Sequence, residues 1–200
     1  MLALLFALQA MAEPGRILVM GDSLSAGYGI DLEQGWANLL QEKLRDQGYE
    51  QRVINASVSG ETTTGGRARL EKLLTTHSPT LVILELGGND GLRGQPIKIM
   101  QSNLAAMIET AKSHEAQVLL VGIQIPPNYG ARYADAFSDV FPALADEYEL
   151  ALVPFLLEGV ALDNNLMQND GIHPKAEAQP ILLDNVWRVL EPMLAQSGSK

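Results

Sequence analysis

Two hundred residues, 46% hydrophobic and 19% charged, are ordinary globular composition and enough for one domain with a proper core. A net charge of -10 argues against nucleic acid, whose binding needs cationic neutralisation of phosphates, and against adsorption to anionic lipid headgroups. The chain has no cysteine, which excludes disulfides, a thiolate nucleophile and cysteine metal sites.

The first dozen residues differ from the rest. Leu2 to Leu8 is apolar, and Ala10-Met11-Ala12 has the small-x-small form of a signal-peptidase site. A signal peptide over residues 1–12 is therefore expected, with the mature chain starting at Glu13 and the protein periplasmic or secreted. No Lys or Arg precedes the apolar run. The run is also shorter than the about 20 residues that span a bilayer, so no stable membrane anchor is expected.

From residue 13 onward, short apolar runs alternate with helix-period stretches. Ile17 to Met20 reads as a strand buried on both faces and stops at Gly21. A helix from about Glu33 to Gln47 presents Trp36, Leu39, Leu40 and Leu44 on one face, with Gly48 as its stop. A second strand covers Arg52 to Ala56. A loop of small residues, Ser57 to Gly66, then leads into a helix carrying Leu70, Leu73 and Leu74 that ends at His77-Ser78-Pro79. The third strand, Leu81 to Leu86, is the most strand-like stretch. A helix from Ile97 to His114, a strand from Val118 to Val121, a helix from Tyr133 to Tyr148, a strand from Leu150 to Phe155 and a last helix from Pro174 to Leu194 complete the series. The tail from Gln196 is expected to fray. Repeated βα units without hairpin signals imply an α/β fold, three-layer αβα: a flavodoxin-like, doubly wound parallel sheet of about five strands in the order 2-1-3-4-5. Residues 13–200 read as a single domain.

In such sheets ligands bind at the carboxyl ends of the strands, and each of those places holds something polar. Ser23 follows the first strand in Gly21-Asp22-Ser23-Leu24. Gly60 follows the second, within a stretch that alone reads equally as a loop with helix-capping Ser and Thr. Asn89 follows the third in Gly87-Gly88-Asn89-Asp90; it supplies a neutral N–H donor, although the stretch also reads as an Asx-capped turn. Asp170-Gly171-Ile172-His173-Pro174 precedes the last helix, with Pro174 suited to its first position. A carboxylate three residues before a histidine can hold the imidazole in the tautomer that leaves Nε2 free as a base. A hydroxyl nucleophile, a histidine base, an orienting carboxylate and oxyanion donors are the parts needed for acyl transfer. The Gly-x-Ser-x-Gly elbow of α/β-hydrolases is absent.

These four blocks, in this order, resemble those of the SGNH or GDSL-type hydrolases. The closer resemblance is to the bacterial multifunctional branch described as acyl-CoA thioesterase I / protease I / lysophospholipase, or arylesterase. It is carried by Glu85 to Arg93, Pro127-Asn128-Tyr129-Gly130 and Asn169 to Pro174. The resemblance implies Ser23 as nucleophile, Asp170 and His173 as its partners, and an oxyanion hole of the Ser23 and Gly60 N–H groups with the Asn89 side chain. It implies no metal and no cofactor, and small acyl esters and thioesters as substrates. A monomer is expected. The apolar, proline-stiffened stretch after the fourth strand makes Ile125, Pro126 and Pro127, together with Leu92, candidate walls for an acyl chain. Two other readings stay open at this point. One is a carbohydrate acetyl-esterase on the same scaffold; the other is a catalytically silent lipid- or glycan-binding module. A dinucleotide site is disfavoured, because the first βα turn lacks Gly-x-Gly-x-x-Gly.

Overall fold

The computed structural model describes residues 14–197. The expected signal segment, residues 1–12, lies outside this range, as do the last three residues of the tail. Five strands form the sheet: β1 Arg16–Gly21, β2 Arg52–Asn55, β3 Leu81–Glu85, β4 Gln117–Val121 and β5 Ala151–Val153. Their order is β2-β1-β3-β4-β5, and every neighbouring pair is parallel. Topology and strand order match the expectation, and the switch point falls between β1 and β3.

The middle strands are buried on both faces because their central residues, Ile17 to Met20, Leu81 to Leu84 and Val118 to Val121, are all apolar, and the period of two divides them between two cores. Ile17, Val19, Ile83 and Leu119 pack with Leu40 and Leu44 of helix α2 (Trp36–Asp46) and with Val186 and Leu190 of the last helix, α8 (Gln179–Ser197). Leu18, Met20, Val82 and Leu84 pack on the other side. Their partners are Leu70 of α3 (Thr63–His77), Leu104 and Ile108 of α5 (Ile97–Ser113), and Phe141 of α7 (Val140–Tyr148). This is the three-layer arrangement. Each such aliphatic side chain contributes about 1.5–3 kcal/mol when fully withdrawn from water. Among the described residues no helix is long and apolar enough to cross a membrane.

The differences from the sequence reading lie at element ends, and prolines and glycines account for them. The helix expected over 133–148 is two helices, α6 (Ala131–Ser138) and α7, because Pro142 cannot donate to the Ser138 carbonyl and its ring crowds it. The last helix does not start at Pro174. Pro174 sits in an antiparallel bridge with Met167, a 3₁₀ turn covers Ala176–Ala178, and Pro180 occupies the first turn of α8, where its missing N–H costs nothing. Helix α3 begins earlier than its glycines suggest. Thr62 caps it by accepting from the Gly65 N–H, and Gly66 packs against the sheet where a Cβ would collide with Leu86. A glycine read from sequence as a loop signal is here a close-packing device. Likewise Gly87 to Asp90 is not a plain turn; it opens a short helix, α4 (Gly88–Leu92).

Candidate active site

The strand β1 ends at Gly21, and Asp22 caps the single-turn helix α1 (Ser23–Ala26) by accepting from the Leu24 N–H at 3.0 Å. This places Ser23 at the first position of α1, at the carboxyl end of the sheet. One hundred and fifty residues later the chain returns. His173 Nε2 lies 2.9 Å from Ser23 Oγ.

The loop that carries His173 is built around Asp170. One oxygen of Asp170 accepts from the backbone N–H groups of Ile172 and His173, each at 3.0 Å, while the other lies 2.7 Å from His173 Nδ1. Partial burial acts to raise the Asp170 pKa. The hydrogen bond from the His173 side chain and the two backbone N–H groups outweigh it and hold the carboxyl at about 2. The carboxylate is therefore ionised at neutral pH and accepts from Nδ1–H, which leaves Nε2 as the acceptor for the Ser23 hydroxyl.

Asn89 stands on α4. Its Nδ2 donates to Asp22 Oδ2 at 3.1 Å, which fixes the amide's orientation and leaves one N–H free. Asp90, next along, accepts from the N–H and hydroxyl of Thr63 at 2.8 and 2.6 Å and ties α4 to the start of α3. Gly60 sits in the loop after β2 with φ +79°, in the left-handed region that favours glycine. That loop lies beside the Ser23 turn: the Val58 N–H donates to the Gly21 carbonyl, and Asn55 Nδ2 to the Ser25 carbonyl. Arg93 donates to the Gly60 carbonyl at 3.0 Å.

Beneath this surface lies a buried carboxyl pair. Glu85, at the end of β3, is fully buried and accepts from Ser25 Oγ at 2.6 Å and from the Asp22 N–H at 3.3 Å. Burial, with the Asp22 charge beside it, pushes the Glu85 pKa well up; burial likewise raises Asp22 to about 6, against the pull of the Leu24 and Asn89 hydrogen bonds. Both groups bind protons more tightly folded than unfolded, so folding stability falls as pH rises from each unfolded value toward the folded one. For Asp22 the interval runs from 3.8 to about 6, and the loss is on the order of 3 kcal/mol. Glu85→Gln keeps an oxygen acceptor without the titration. Denaturation midpoints measured between pH 5 and 9 are expected to decline less in Glu85→Gln than in the wild type.

The site opens into a cleft of about 860 Å³, lined at one end by Ser23, Asn89 and His173. Of the candidate walls, Leu92, Ile125 and Pro126 line it. Pro127 opens a 3₁₀ turn, Pro127–Tyr129. The sequence reading missed the segment after Leu157: Val160, Ala161 and Leu162 also line the cleft, and Leu162 is fully exposed. A large aliphatic side chain left in water beside a cleft is a feature only coordinates reveal. Among the described residues, no group of three or more His, Asp or Glu is placed to hold a metal.

A hydrogen-bonded Ser–His–Asp series facing an apolar cleft is equipment for acyl transfer, and comparison with known proteins points the same way. The GDSL-like Lipase/Acylhydrolase family profile matches residues 19–180. The chain belongs to that family. Esterase TesA of Pseudomonas aeruginosa is 56% identical over 178 residues, 89% of each chain. An arylesterase of Vibrio mimicus is 48% identical over 94% of this chain and 95% of its own. Thioesterase 1/protease 1/lysophospholipase L1 of Escherichia coli K12 is 43% identical over 89% of this chain and 84% of its own. A crystal structure of TesA, 56% identical, superposes with a TM-score of 0.87 over 88% of this chain and 98% of that one. The protein is thus a GDSL-family hydrolase on the fold of its solved relatives.

Proposed function

We propose that this GDSL hydrolase cleaves acyl esters and thioesters through an acyl-serine, with Ser23, His173 and Asp170 as the triad. The observation that carries the reading is the 2.9 Å approach of Ser23 Oγ and His173 Nε2. His173 takes the Ser23 proton as Oγ bonds to the acyl carbon. The developing oxyanion is received by the Ser23 and Gly60 N–H groups and the free N–H of Asn89. The carbonyl re-forms as the bond to the leaving oxygen or sulfur breaks, and that atom leaves with the proton from His173. Water then attacks the acyl-serine, again giving a proton to Nε2, and Ser23 recovers it as the carboxylic acid departs.

The names of the relatives point to aryl esters, thioesters and lysophospholipids, and the apolar cleft suits their acyl chains. Leu92, Ile125, Pro126 and Pro127 are proposed to line the acyl path. Each CH₂ withdrawn from water contributes about 0.8 kcal/mol. Hydrolysis of p-nitrophenyl esters is therefore expected to rise from acetyl to octanoyl, by up to about fourfold in kcat/KM per methylene until the cleft is filled. Acyl-CoA, a lysophospholipid and an acetylated sugar complete the panel. A preference for the acetylated sugar over every longer acyl ester would overturn the assignment and favour a carbohydrate esterase. We also propose that residues 1–12 direct export to the periplasm or beyond and that the catalytic unit begins at Glu13. N-terminal sequencing of the exported protein tests this.

A further inference from the structure

Two edges of the His173 imidazole are held, one by Asp170 and one by Ser23. Its face is covered as well. The ring of Tyr28, just past the end of α1, lies 4.4 Å from the imidazole centroid with the planes tilted by 38°. Tyr28 is 52% exposed and belongs to neither hydrophobic core, so packing against the sheet does not account for its place.

The backbone of Tyr28 is tied to both halves of the site. Its N–H donates to the Ser23 carbonyl at 3.2 Å. Its own carbonyl accepts from Gln168 Nε2 at 2.8 Å, and the same Nε2 donates to the Pro174 carbonyl at 3.1 Å. The Gln168 backbone N–H donates to the His173 carbonyl at 2.7 Å. These bonds close a circuit from Ser23 through Tyr28 and Gln168 to His173. The circuit holds serine and histidine segments together without using the Oγ–Nε2 contact itself.

We infer that Tyr28 is a positioning residue for His173, clamped by Gln168, and that its ring steadies the imidazolium formed when the serine proton is transferred. The ring centroid lies within the distance at which an aromatic face attracts a cation. The attraction is stronger for charged than for neutral imidazole, so it acts where the reaction places charge on His173 and not on the resting enzyme. The charged groups facing His173 are Asp170 on its own loop and Asp22 at the cap of α1. Neither covers the ring face that Tyr28 occupies. The inference rests on the proposed role of His173 as the base.

The test is steady-state hydrolysis of a p-nitrophenyl ester by the full chain and five variants, each checked by circular dichroism and melting. Tyr28→Leu is expected to lower kcat by about 3- to 30-fold with KM changed less than about twofold, whereas Tyr28→Phe, which keeps the ring, stays within about twofold of wild type. Gln168→Leu should lower kcat in the same way, and the Tyr28→Leu/Gln168→Leu pair should lose less than the product of the single losses. The inference is overturned if Tyr28→Leu keeps wild-type kcat, if Tyr28→Phe loses as much as Tyr28→Leu, or if the loss is confined to KM. Should Tyr28→Leu fail to fold, a wild-type kcat in Gln168→Leu overturns it equally. Ser23→Ala in the same assay separates the two readings. Activity in Ser23→Ala removes the triad assignment; an inactive Ser23→Ala beside an unaffected Tyr28→Leu removes only the role of Tyr28.

Discussion

Ser23→Ala is expected to lower kcat by about 10⁴- to 10⁶-fold, and His173→Ala by a similar factor. The reason is chemical. Without Oγ there is no acyl-serine, and without the imidazole a hydroxyl of ordinary acidity must attack unaided. The two losses should not multiply. The hydroxyl and the imidazole act as one unit through their 2.9 Å contact, so a double variant should be scarcely slower than either single one. A p-nitrophenyl ester provides the rate, and a fluorophosphonate probe reports whether Ser23 is labelled in wild type and spared in His173→Ala. Substantial turnover in Ser23→Ala, with no label at position 23 in the wild type, would discard the covalent route. Asp170→Ala should cost less. Its carboxylate orients and does not react, and it is partly open to water that can substitute for it.

The reach of the sequence was set by how local each cause is. The sheet was legible because strands such as β3 carry an unbroken apolar run, Leu81 to Leu84, which only burial on both faces explains. That the sheet is parallel followed from unbroken βα alternation. Helix ends were less legible, since Pro142 and Pro180 act through the carbonyls and turns around them, and Gly66 acts through Leu86, distant in sequence but packed on the same face of the sheet. The candidate site divides in the same way. Ser23, Asn89, Asp170 and His173 stand in short motifs whose spacing suggests their chemistry, and the coordinates bring Ser23, Asp170 and His173 into one hydrogen-bonded series. Tyr28, Gln168 and the segment from Val160 to Leu162 carry no local sign. A tyrosine after a helical turn and a glutamine in a loop are unremarkable until residues 140 apart are seen to share a hydrogen bond. Glu85 closes an apolar strand, and its burial beside Asp22 emerged only in three dimensions.

Asn89→Ala is expected to lower kcat by about 100- to 1,000-fold with KM nearly unchanged, because its free N–H strengthens its bond only as charge develops on the carbonyl oxygen. Asp22 decides how far that donor is aimed. One Asp22 oxygen accepts from the Leu24 N–H and the other from Asn89. Asp22→Asn has a single acceptor for two donors. It should therefore show part of the Asn89→Ala loss and add little to it in the double variant. Protonation of Asp22 has the same consequence, since it turns one acceptor into a donor, and its pKa raised by burial to about 6 puts this within reach of assay conditions. Above pH 6 the carboxylate is ionised and Asn89 is held; as pH falls through that value the hold is lost. The ratio of wild-type to Asn89→Ala kcat should therefore be greatest at neutral and alkaline pH and shrink toward pH 5. A ratio independent of pH would separate Asn89 from Asp22. A ratio near one at every pH would remove Asn89 from the oxyanion site.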